Sequence, residues 1–143
     1  GQLTIVPFFP VQASAFISGK GDQIFNKGDL LYEFKGPLLK YSQVPKEHKG
    51  EEDRYMQIGE DLYLGPSGEV DDLFNHSCNP NSGLRFIDSS DKIFLIAISD
   101  IQKDEEVTWD YSTTMLNDTW TMECDCRNVN CRHTIGQFST LPE

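Results

Sequence analysis

DDLFNHSCNPNSGL, residues 71–84, concentrates hydrogen-bonding and metal-binding groups in one short connection. The stretch holds three Asn, one His and the first of four Cys in the chain, and it contains an Asn79-Pro80-Asn81 turn that leads into a strand candidate. Taken alone, Asn75 is a cap or turn amide and His76 is an interior imidazole with satisfied hydrogen bonds. The stretch becomes informative beside two distant segments that share its chemistry.

The composition is that of one acidic globular domain. The 143 residues fit a single domain, and 38% of them are hydrophobic. The 23 acidic residues outnumber the 12 basic ones, and the net charge is −11. This charge argues against direct binding to nucleic acid and favours a basic partner, such as a Lys- or Arg-rich peptide. Acidity that serves only solubility is the alternative.

No membrane or export segment is predicted. The longest apolar run, residues 93–98, is far too short to cross a bilayer. The N-terminal residues lack the basic, apolar and small-residue succession of an export signal. We therefore expect a soluble intracellular protein that does not act at a membrane, in a compartment (cytoplasm or nucleus) that the sequence does not separate.

Short segments rich in β-branched and aromatic residues, separated by turn signals, predict a mainly β fold. Residues 83–87 and 92–98 form the clearest hairpin, and residues 40–54 are a polar insertion, either exposed or an irregular helix. No long amphipathic helix is predicted, which argues against βαβ units. The strand candidates are residues 3–9, 13–18, 30–35, 55–58, 61–64, 83–87, 92–98 and, as the last strand, 107–111.

The four cysteines have the spacing of a metal site. Cys124, Cys126 and Cys131 form a Cys-x-Cys-x4-Cys pattern, and Cys78 is the fourth thiol. A structural zinc ion takes four thiolates in a closed tetrahedral site. Two disulfides or free core thiols are the alternatives, and we favour zinc because no secretory context is visible. Whether the cysteines bind zinc or form disulfides, the C-terminal segment that carries Cys124, Cys126 and Cys131 is predicted to lie beside Cys78.

Three segments together resemble the SET-domain protein lysine methyltransferases. They are Asn75-His76-Ser77-Cys78-Asn79-Pro80-Asn81, Asp104-Glu105-Glu106-Val107-Thr108-Trp109-Asp110-Tyr111, and the cysteine cluster, which is similar to a post-SET motif. The match runs from about Ala13 to the C-terminus. It implies a minimal SET domain in residues 1–121 and a post-SET zinc tail in residues 122–143. The implied fold has several small sheets and a knot-like threaded C-terminal segment.

The resemblance implies a site for S-adenosylmethionine. Asn75 and His76 would hold this methyl donor through side-chain and backbone hydrogen bonds. Lys20 and Gly21, in Gly19-Lys20-Gly21, match the family's Gly-x-Gly turn in letters, although the turn lies closer to Lys27-Gly28-Asp29 than is usual. A lone Gly-x-Gly is weak support.

Aromatic residues would line the lysine channel of such an enzyme. Tyr111 matches the Tyr that ends the second motif, and Tyr55 is similar to an active-site Tyr upstream of the Asn-His segment. We expect both to be catalytic, and Tyr111 also to contact the cofactor; ordinary strand aromatics are the alternative. Trp109 stands where the family usually has Phe or Tyr, and its bulk would narrow the channel.

The tail would close over the cofactor, with apolar side chains packed against adenine. Ile135 is our candidate for that contact and Phe138 is a second, for which simple burial of the tail is the alternative. Asp104 replaces a turn Gly of the family, and Thr134 stands where such tails often carry an aromatic residue.

The implied activity is methyl transfer from S-adenosylmethionine to a lysine of a protein or peptide, such as a histone-like tail. Zinc would be structural, because four thiolates leave no open coordination position. A non-catalytic SET-like binding module is the first alternative, in which Trp109 blocks the channel. A small zinc-stapled interaction domain is the second.

Overall fold

The computed structural model describes residues 2–8, 12–18, 23–45, 55–68, 70–86, 92–114, 121–136 and 141. Within these ranges the chain forms fourteen short strands in six small sheets, together with three 3-10 turns and no α-helix. The predicted mainly β fold is therefore confirmed. The described ranges contain no helix that is long and apolar enough to span a membrane.

Most of the strands have two to five residues. The strands are β1 Gln2–Phe8, β2 Gln12–Ser18, β3 Gln23–Phe25, β4 Leu30–Glu33, β5 Leu38–Leu39, β6 Met56–Gly59, β7 Leu62–Leu64, β8 Asn75–His76, β9 Ser82–Phe86, β10 Ile93–Ala97, β11 Ile101–Gln102, β12 Thr108–Trp109, β13 Met122–Glu123 and β14 Thr134–Ile135. The 3-10 turns cover Tyr41–Gln43, Val70–Leu73 and Tyr111–Thr113.

The predicted hairpin of residues 83–87 and 92–98 is confirmed as the antiparallel pair β9 and β10. Strand β10 buries Ile93, Leu95 and Ala97, whereas the residues between them are half-buried, which is the period-2 pattern of a strand with one face in the core. Strand β4 pairs with the other edge of β10, so the sheet order is β4-β10-β9.

Two further antiparallel sheets come from the first half of the chain. Strands β1 and β2 pair over seven residues, which confirms the two N-terminal strand candidates to within a residue. Strands β5, β7 and β6 form the second sheet. Gly36 precedes β5, and a Cβ atom there would lie 1.8 Å from the carbonyl oxygen of Gly65, so the two backbones are in direct contact.

The predicted insertion at residues 40–54 is described only as far as residue 45. It begins with the 3-10 turn Tyr41–Gln43, and the next residue, Val44, is only 3% exposed. The prediction was of an exposed segment or an irregular helix, and the described start of the insertion holds a 3-10 turn and a buried valine. Residues 46–54 lie outside the described residues.

A two-residue parallel pair joins the two motif segments. Thr108 pairs with Asn75, and Trp109 pairs with His76. The prediction of one last strand over residues 107–111 is wrong in two respects. Strand β12 ends at Trp109, because Asp110 caps a 3-10 turn that contains Tyr111, and β13 and β14 follow it in the tail.

The hydrophobic core lies beneath these sheets. Phe74 lies just before β8, and Val107 and Trp109 come from the second motif, so both motif segments are anchored in the core. The buried members are Leu31, Met56, Leu64, Phe74, Ile93, Leu95, Ala97, Ile101, Val107 and Trp109. A second small cluster centres on Cys78 and Ile135, and Tyr111 packs against both clusters.

Candidate active site and metal centre

The four cysteines converge as predicted. The sulfur atoms of Cys78, Cys124, Cys126 and Cys131 all lie within 4.8 Å of one another. Cys124 Sγ is 3.8 Å from both Cys78 Sγ and Cys131 Sγ, and all four residues are free thiols rather than disulfides. Four soft sulfur ligands at this spacing are the donor set of a structural zinc site. The set is complete without a water, so it suits a closed site.

The cluster brings the tail against the Asn-His segment, and side-chain amides fix the contact. Asn128 Nδ2 donates to Ser77 Oγ at 3.0 Å, and Asn130 Nδ2 donates to the carbonyl oxygen of Cys78 at 3.0 Å. The backbone N–H of Arg132 points to Cys78 Sγ at 3.4 Å. The tail is therefore held in one register on residues 77–78 by hydrogen bonds as well as by the sulfur atoms.

The thiols differ in acidity. Burial raises the pKa of Cys124 and also that of Cys78, where hydrogen bonds from Arg132 and Cys124 partly offset it. Burial also acts to raise the pKa of Cys126, but hydrogen bonds from Asn128 and from backbone N–H groups lower it to about 6. Zinc binding would release protons from the thiols, because the thiolate is the form that binds the metal.

Strand β8 places Asn75 and His76 beside the second motif. Asn75 Nδ2 donates to Glu106 Oε1 at 2.7 Å, and the backbone N–H of Ser77 donates to the carbonyl oxygen of Trp109 at 3.1 Å. The side chain of Asn81 also contributes, because its Nδ2 donates to Glu106 O and its Oδ1 accepts from Thr108 N. Both Asn side chains hold the two motif segments together.

The imidazole of His76 lies between the cysteine cluster and Tyr111. Its Nδ1 accepts the backbone N–H of Tyr111 at 3.1 Å, so the neutral ring carries its hydrogen on Nε2, which lies 3.3 Å from Cys78 Sγ. Burial, assisted by the charge of Arg132 and opposed by that of Asp110, lowers the pKa of His76 to about 4. The ring is therefore neutral at physiological pH.

Tyr111 is held at both ends. Its hydroxyl donates to the carbonyl oxygen of Phe74 at 2.5 Å, and its backbone N–H donates to His76. Its ring lies 4.7 Å from the ring of Trp109 and 5.4 Å from that of His76, measured between centroids. The orientation of the Tyr111 side chain is therefore fixed by Phe74 and His76, which lie more than thirty residues earlier in the sequence, and by its neighbour Trp109.

Asp110 connects Tyr111 to the tail. Its Oδ1 and Oδ2 each accept a hydrogen bond of 2.8 Å from the guanidinium of Arg132, and Oδ1 also accepts from the backbone N–H of Ser112 at 3.0 Å. The hydrogen bonds with Asp110 raise the pKa of Arg132 further. Such bidentate hydrogen bonding fixes both the position and the plane of the carboxylate.

The other predicted site residues have mixed placements. Trp109 is buried in the core and contacts Tyr111. Ile135 is 1% exposed and packs in the cluster around Cys78. Tyr55 is half-buried, and its ring covers Gly65, where an added Cβ would lie 3.0 Å from Tyr55 Cε1. Lys20, Gly21 and Phe138 lie outside the described residues.

Four residues of this region were not predicted from the sequence: Asp110, Asn128, Asn130 and Arg132. Each of them stands one or two positions from a predicted residue, and each side chain crosses to the other segment. An Arg directly after the last Cys and an Asp directly before Tyr111 are of opposite charge. That opposite charge is consistent with their pairing, but it is shared with many other charged residues and did not single out this pair.

Comparisons with known proteins agree with this architecture. A family model described as SET domain matches residues 22–112, which is more than half of the chain. The variant-silencing SET domain-containing protein of Plasmodium falciparum is 32% identical in an alignment of 118 residues, which covers 73% of this chain and 5% of that protein. The histone-lysine N-methyltransferase ASHH3 of Arabidopsis thaliana is 27% identical in an alignment of 126 residues, which covers 81% of this chain and 34% of that protein.

A solved structure shows the same fold at low sequence identity. The crystal structure of KRYPTONITE in complex with mCHH DNA, an H3(1-15) peptide and SAH has a TM-score of 0.70, with 18% identity over 92% of this chain and 29% of that chain. The chain thus spans about a third or less of these relatives. Because the family model covers most of the region that builds the site, this chain belongs to the SET-domain family.

Proposed function

We propose that this chain is an S-adenosylmethionine-dependent protein lysine N-methyltransferase with Tyr111 as its catalytic tyrosine. One observation carries the proposal. The pairing of β8 with β12 brings His76 against Tyr111, and the cysteine cluster brings the tail to the same place. The arrangement unites the three motifs in one place. Relatives of this chain are named as histone-lysine N-methyltransferases, which supports the same activity.

Residues 1–121 form the SET domain and residues 122–143 the zinc tail in this proposal. Zinc is structural, because the four thiols close its coordination sphere. Asn75, His76, Tyr111, Lys20, Gly21 and Ile135 remain the residues proposed to contact the cofactor. The Asn75 side chain already binds Glu106 and the His76 side chain binds Tyr111, so a cofactor contact would come in addition to these bonds.

Bound S-adenosylmethionine supplies a methyl group on a positively charged sulfur. The task of the protein is to present a neutral lysine amine in line with that group. A free lysine has a pKa of about 10.4. Burial in an aromatic channel near a positive charge lowers this pKa, so a strong general base is not required.

The hydroxyl of Tyr111 is suited to orient the reacting groups. It donates its single hydrogen to the carbonyl oxygen of Phe74, so its oxygen can offer only lone pairs to a further partner. An oxygen of this kind, together with nearby backbone carbonyls, can accept weak C–H hydrogen bonds from a polarised methyl group. Most of the rate acceleration then comes from positioning. Trp109, in ring contact with Tyr111, and Tyr55 are the proposed channel residues.

The proposed substrate is a lysine in a basic protein segment. The net charge of −11 favours such a partner and disfavours direct contact with nucleic acid. The KRYPTONITE structure contains an H3(1-15) peptide, and a histone-like tail is accordingly our first candidate. Action on such a substrate would take place inside the cell.

The proposal is tested by transfer of a tritiated methyl group from S-adenosylmethionine to core histones and to a mixed protein extract, with cofactor binding measured by calorimetry. We expect cofactor binding and labelled lysine. Tyr111→Phe is expected to bind the cofactor but to lose nearly all transfer, whereas Tyr41→Phe, the same change at an exposed residue, is expected to retain it. Binding without transfer by the unchanged chain would support the non-catalytic binding module instead.

A further inference from the structure

We infer that Arg132 is a positioning residue for Tyr111, an inference that rests on the proposed methyl transfer. Arg132 directly follows the metal-binding Cys131, and its guanidinium reaches the carboxylate that directly precedes Tyr111. The geometry of the candidate catalytic tyrosine thereby depends on the docked state of the tail. The arrangement couples the zinc site to the catalytic residue through side chains of this chain alone.

Arg132 and Asp110 form a bidentate ion pair, with two hydrogen bonds between the guanidinium and the carboxylate. Both nitrogen–oxygen distances are 2.8 Å, and the side chains of Arg132 and Asp110 are 18% and 9% exposed. Arg132 Nη2 also lies 3.3 Å from the hydroxyl of Ser112, a residue with no exposed surface. Because two parallel hydrogen bonds define a plane, Asp110 cannot rotate while the tail is docked.

Asp110 in turn fixes the 3-10 turn that carries Tyr111. Its carboxylate caps the turn by accepting from the backbone N–H of Ser112. Its carbonyl oxygen accepts from Thr113 twice, from the backbone N–H at 3.0 Å and from Oγ1 at 2.7 Å. Tyr111 is the first residue of this turn. A rotation of Asp110 would therefore shift Tyr111 away from its partners His76 and Phe74.

Backbone contacts in the tail also fix the position of Arg132. Its backbone N–H points to Cys78 Sγ, and the next residue, His133, has a positive φ of 62° that turns the chain into β14. The guanidinium is thus directed from the metal site toward the second motif. A largely buried ion pair adds little to the stability of the fold, because the cost of desolvating both charges offsets their attraction. The role that we assign to the Arg132–Asp110 pair is therefore to fix the geometry of the two segments.

The test uses Arg132→Gln, Arg132→Lys, Asp110→Asn and the double variant Arg132→Gln with Asp110→Asn in the full chain. Zinc content, kcat, the KM for a histone peptide and the Kd for the cofactor product are measured for each. Fluorine NMR of 5-fluorotryptophan reports on Trp109, whose ring contacts Tyr111, and Trp120→Phe assigns its resonance. Arg127→Gln is the matched control, since this tail arginine is 87% exposed at its side chain.

We expect Arg132→Gln to retain zinc and to lose kcat by about 10- to 100-fold, with KM nearly unchanged, because small misplacements of a reacting group have effects of that size. The Trp109 resonance is expected to shift. Arg132→Lys keeps the charge but not the bidentate geometry, and its kcat is expected to lie between those of the unchanged chain and Arg132→Gln. The double variant is expected to be no worse than Arg132→Gln alone, because the added Asp110→Asn change removes the unpaired carboxylate.

Two results would overturn the positioning role. One is an unchanged Trp109 resonance in Arg132→Gln, whether or not the protein is active. The other is a loss of kcat that only follows the loss of zinc, which would make Arg132 a structural residue. Absence of methyl transfer by the unchanged chain would instead overturn the proposed function, and it is recognised before any variant is compared.

Discussion

His76 Nδ1 accepts the backbone N–H of Tyr111 at 3.1 Å, while the opposite nitrogen of the same ring lies 3.3 Å from the sulfur of Cys78. The imidazole therefore touches a candidate metal ligand with one nitrogen and the candidate catalytic residue with the other. Groups that bond to metal ligands in this way orient the ligand and tune its affinity for the metal. His76 thus joins a candidate metal ligand to the candidate catalytic residue, which lie in different segments of the sequence.

Substitution of His76 by two different amides should separate these functions. His76→Gln places an N–H donor near the position of Nε2 and keeps the contact to Cys78, whereas His76→Asn places an oxygen near Nδ1 and keeps the contact to Tyr111. We expect His76→Asn to bind zinc about 10- to 100-fold more weakly. His76→Gln is expected to bind zinc nearly as well as the unchanged chain but to lower kcat. Competition with a metal chelator and steady-state kinetics measure the two effects, and equal zinc affinities in both variants would contradict the assignment.

Gly36→Ala should destabilise the domain. The added Cβ would lie 1.8 Å from the carbonyl oxygen of Gly65, and neither backbone can move without disturbing the β5-β7-β6 sheet. Overpacking of this kind lowers the free energy of unfolding by about 1–3 kcal/mol or more. Gly83→Ala is the matched control, because its nearest atom is a side-chain carbon at 3.4 Å. Urea denaturation measures both, and equal midpoints would show that the crossing of the two backbones is not tight.

Asp104→Gly should stabilise the chain slightly. Asp104 is exposed in a turn with φ of 65°, a conformation that costs an ordinary residue about 1–2 kcal/mol and Asp somewhat less. Relief of this strain is partly offset by the greater freedom of Gly in the unfolded chain, so we expect a gain of up to about 1 kcal/mol. Asp104→Ala should lose stability at the same position. Thermal unfolding of the two variants checks the sign, and a gain with Ala would refute the strain.

The elements predicted correctly from the sequence have a local signal. The β9 and β10 hairpin was predicted from two apolar segments that flank the turn residues Asp88-Ser89-Ser90-Asp91 in the sequence, and the four cysteines could be grouped by spacing and number alone. Both signals arise from neighbouring residues or from a residue type that is rare in the chain. The main features of the fold and the grouping of the four cysteines were therefore predictable.

The short strands had no such signal. Asn75–His76 and Thr108–Trp109 pair over two residues, which is too short for any period to show, and their partners are 33 positions apart. Tyr111 was expected at the end of a strand because its neighbours are strand-forming, but the carboxylate of Asp110 caps a 3-10 turn there. The pairing of Asp110 with Arg132 depends on tertiary contact between two of many charged residues, so composition did not select it.

Zinc in the tail and methyl transfer at Tyr111 are expected to depend on each other, because the tail reaches Tyr111 through Arg132 and Asp110. A chelator titration of the purified chain tests this dependence, with bound zinc, cofactor binding and tritiated methyl transfer followed in the same samples. We expect one zinc ion per chain, held by the four thiols, and a loss of transfer in step with the loss of zinc. Full cofactor binding and transfer in zinc-free, folded protein would show that the tail and Tyr111 are independent.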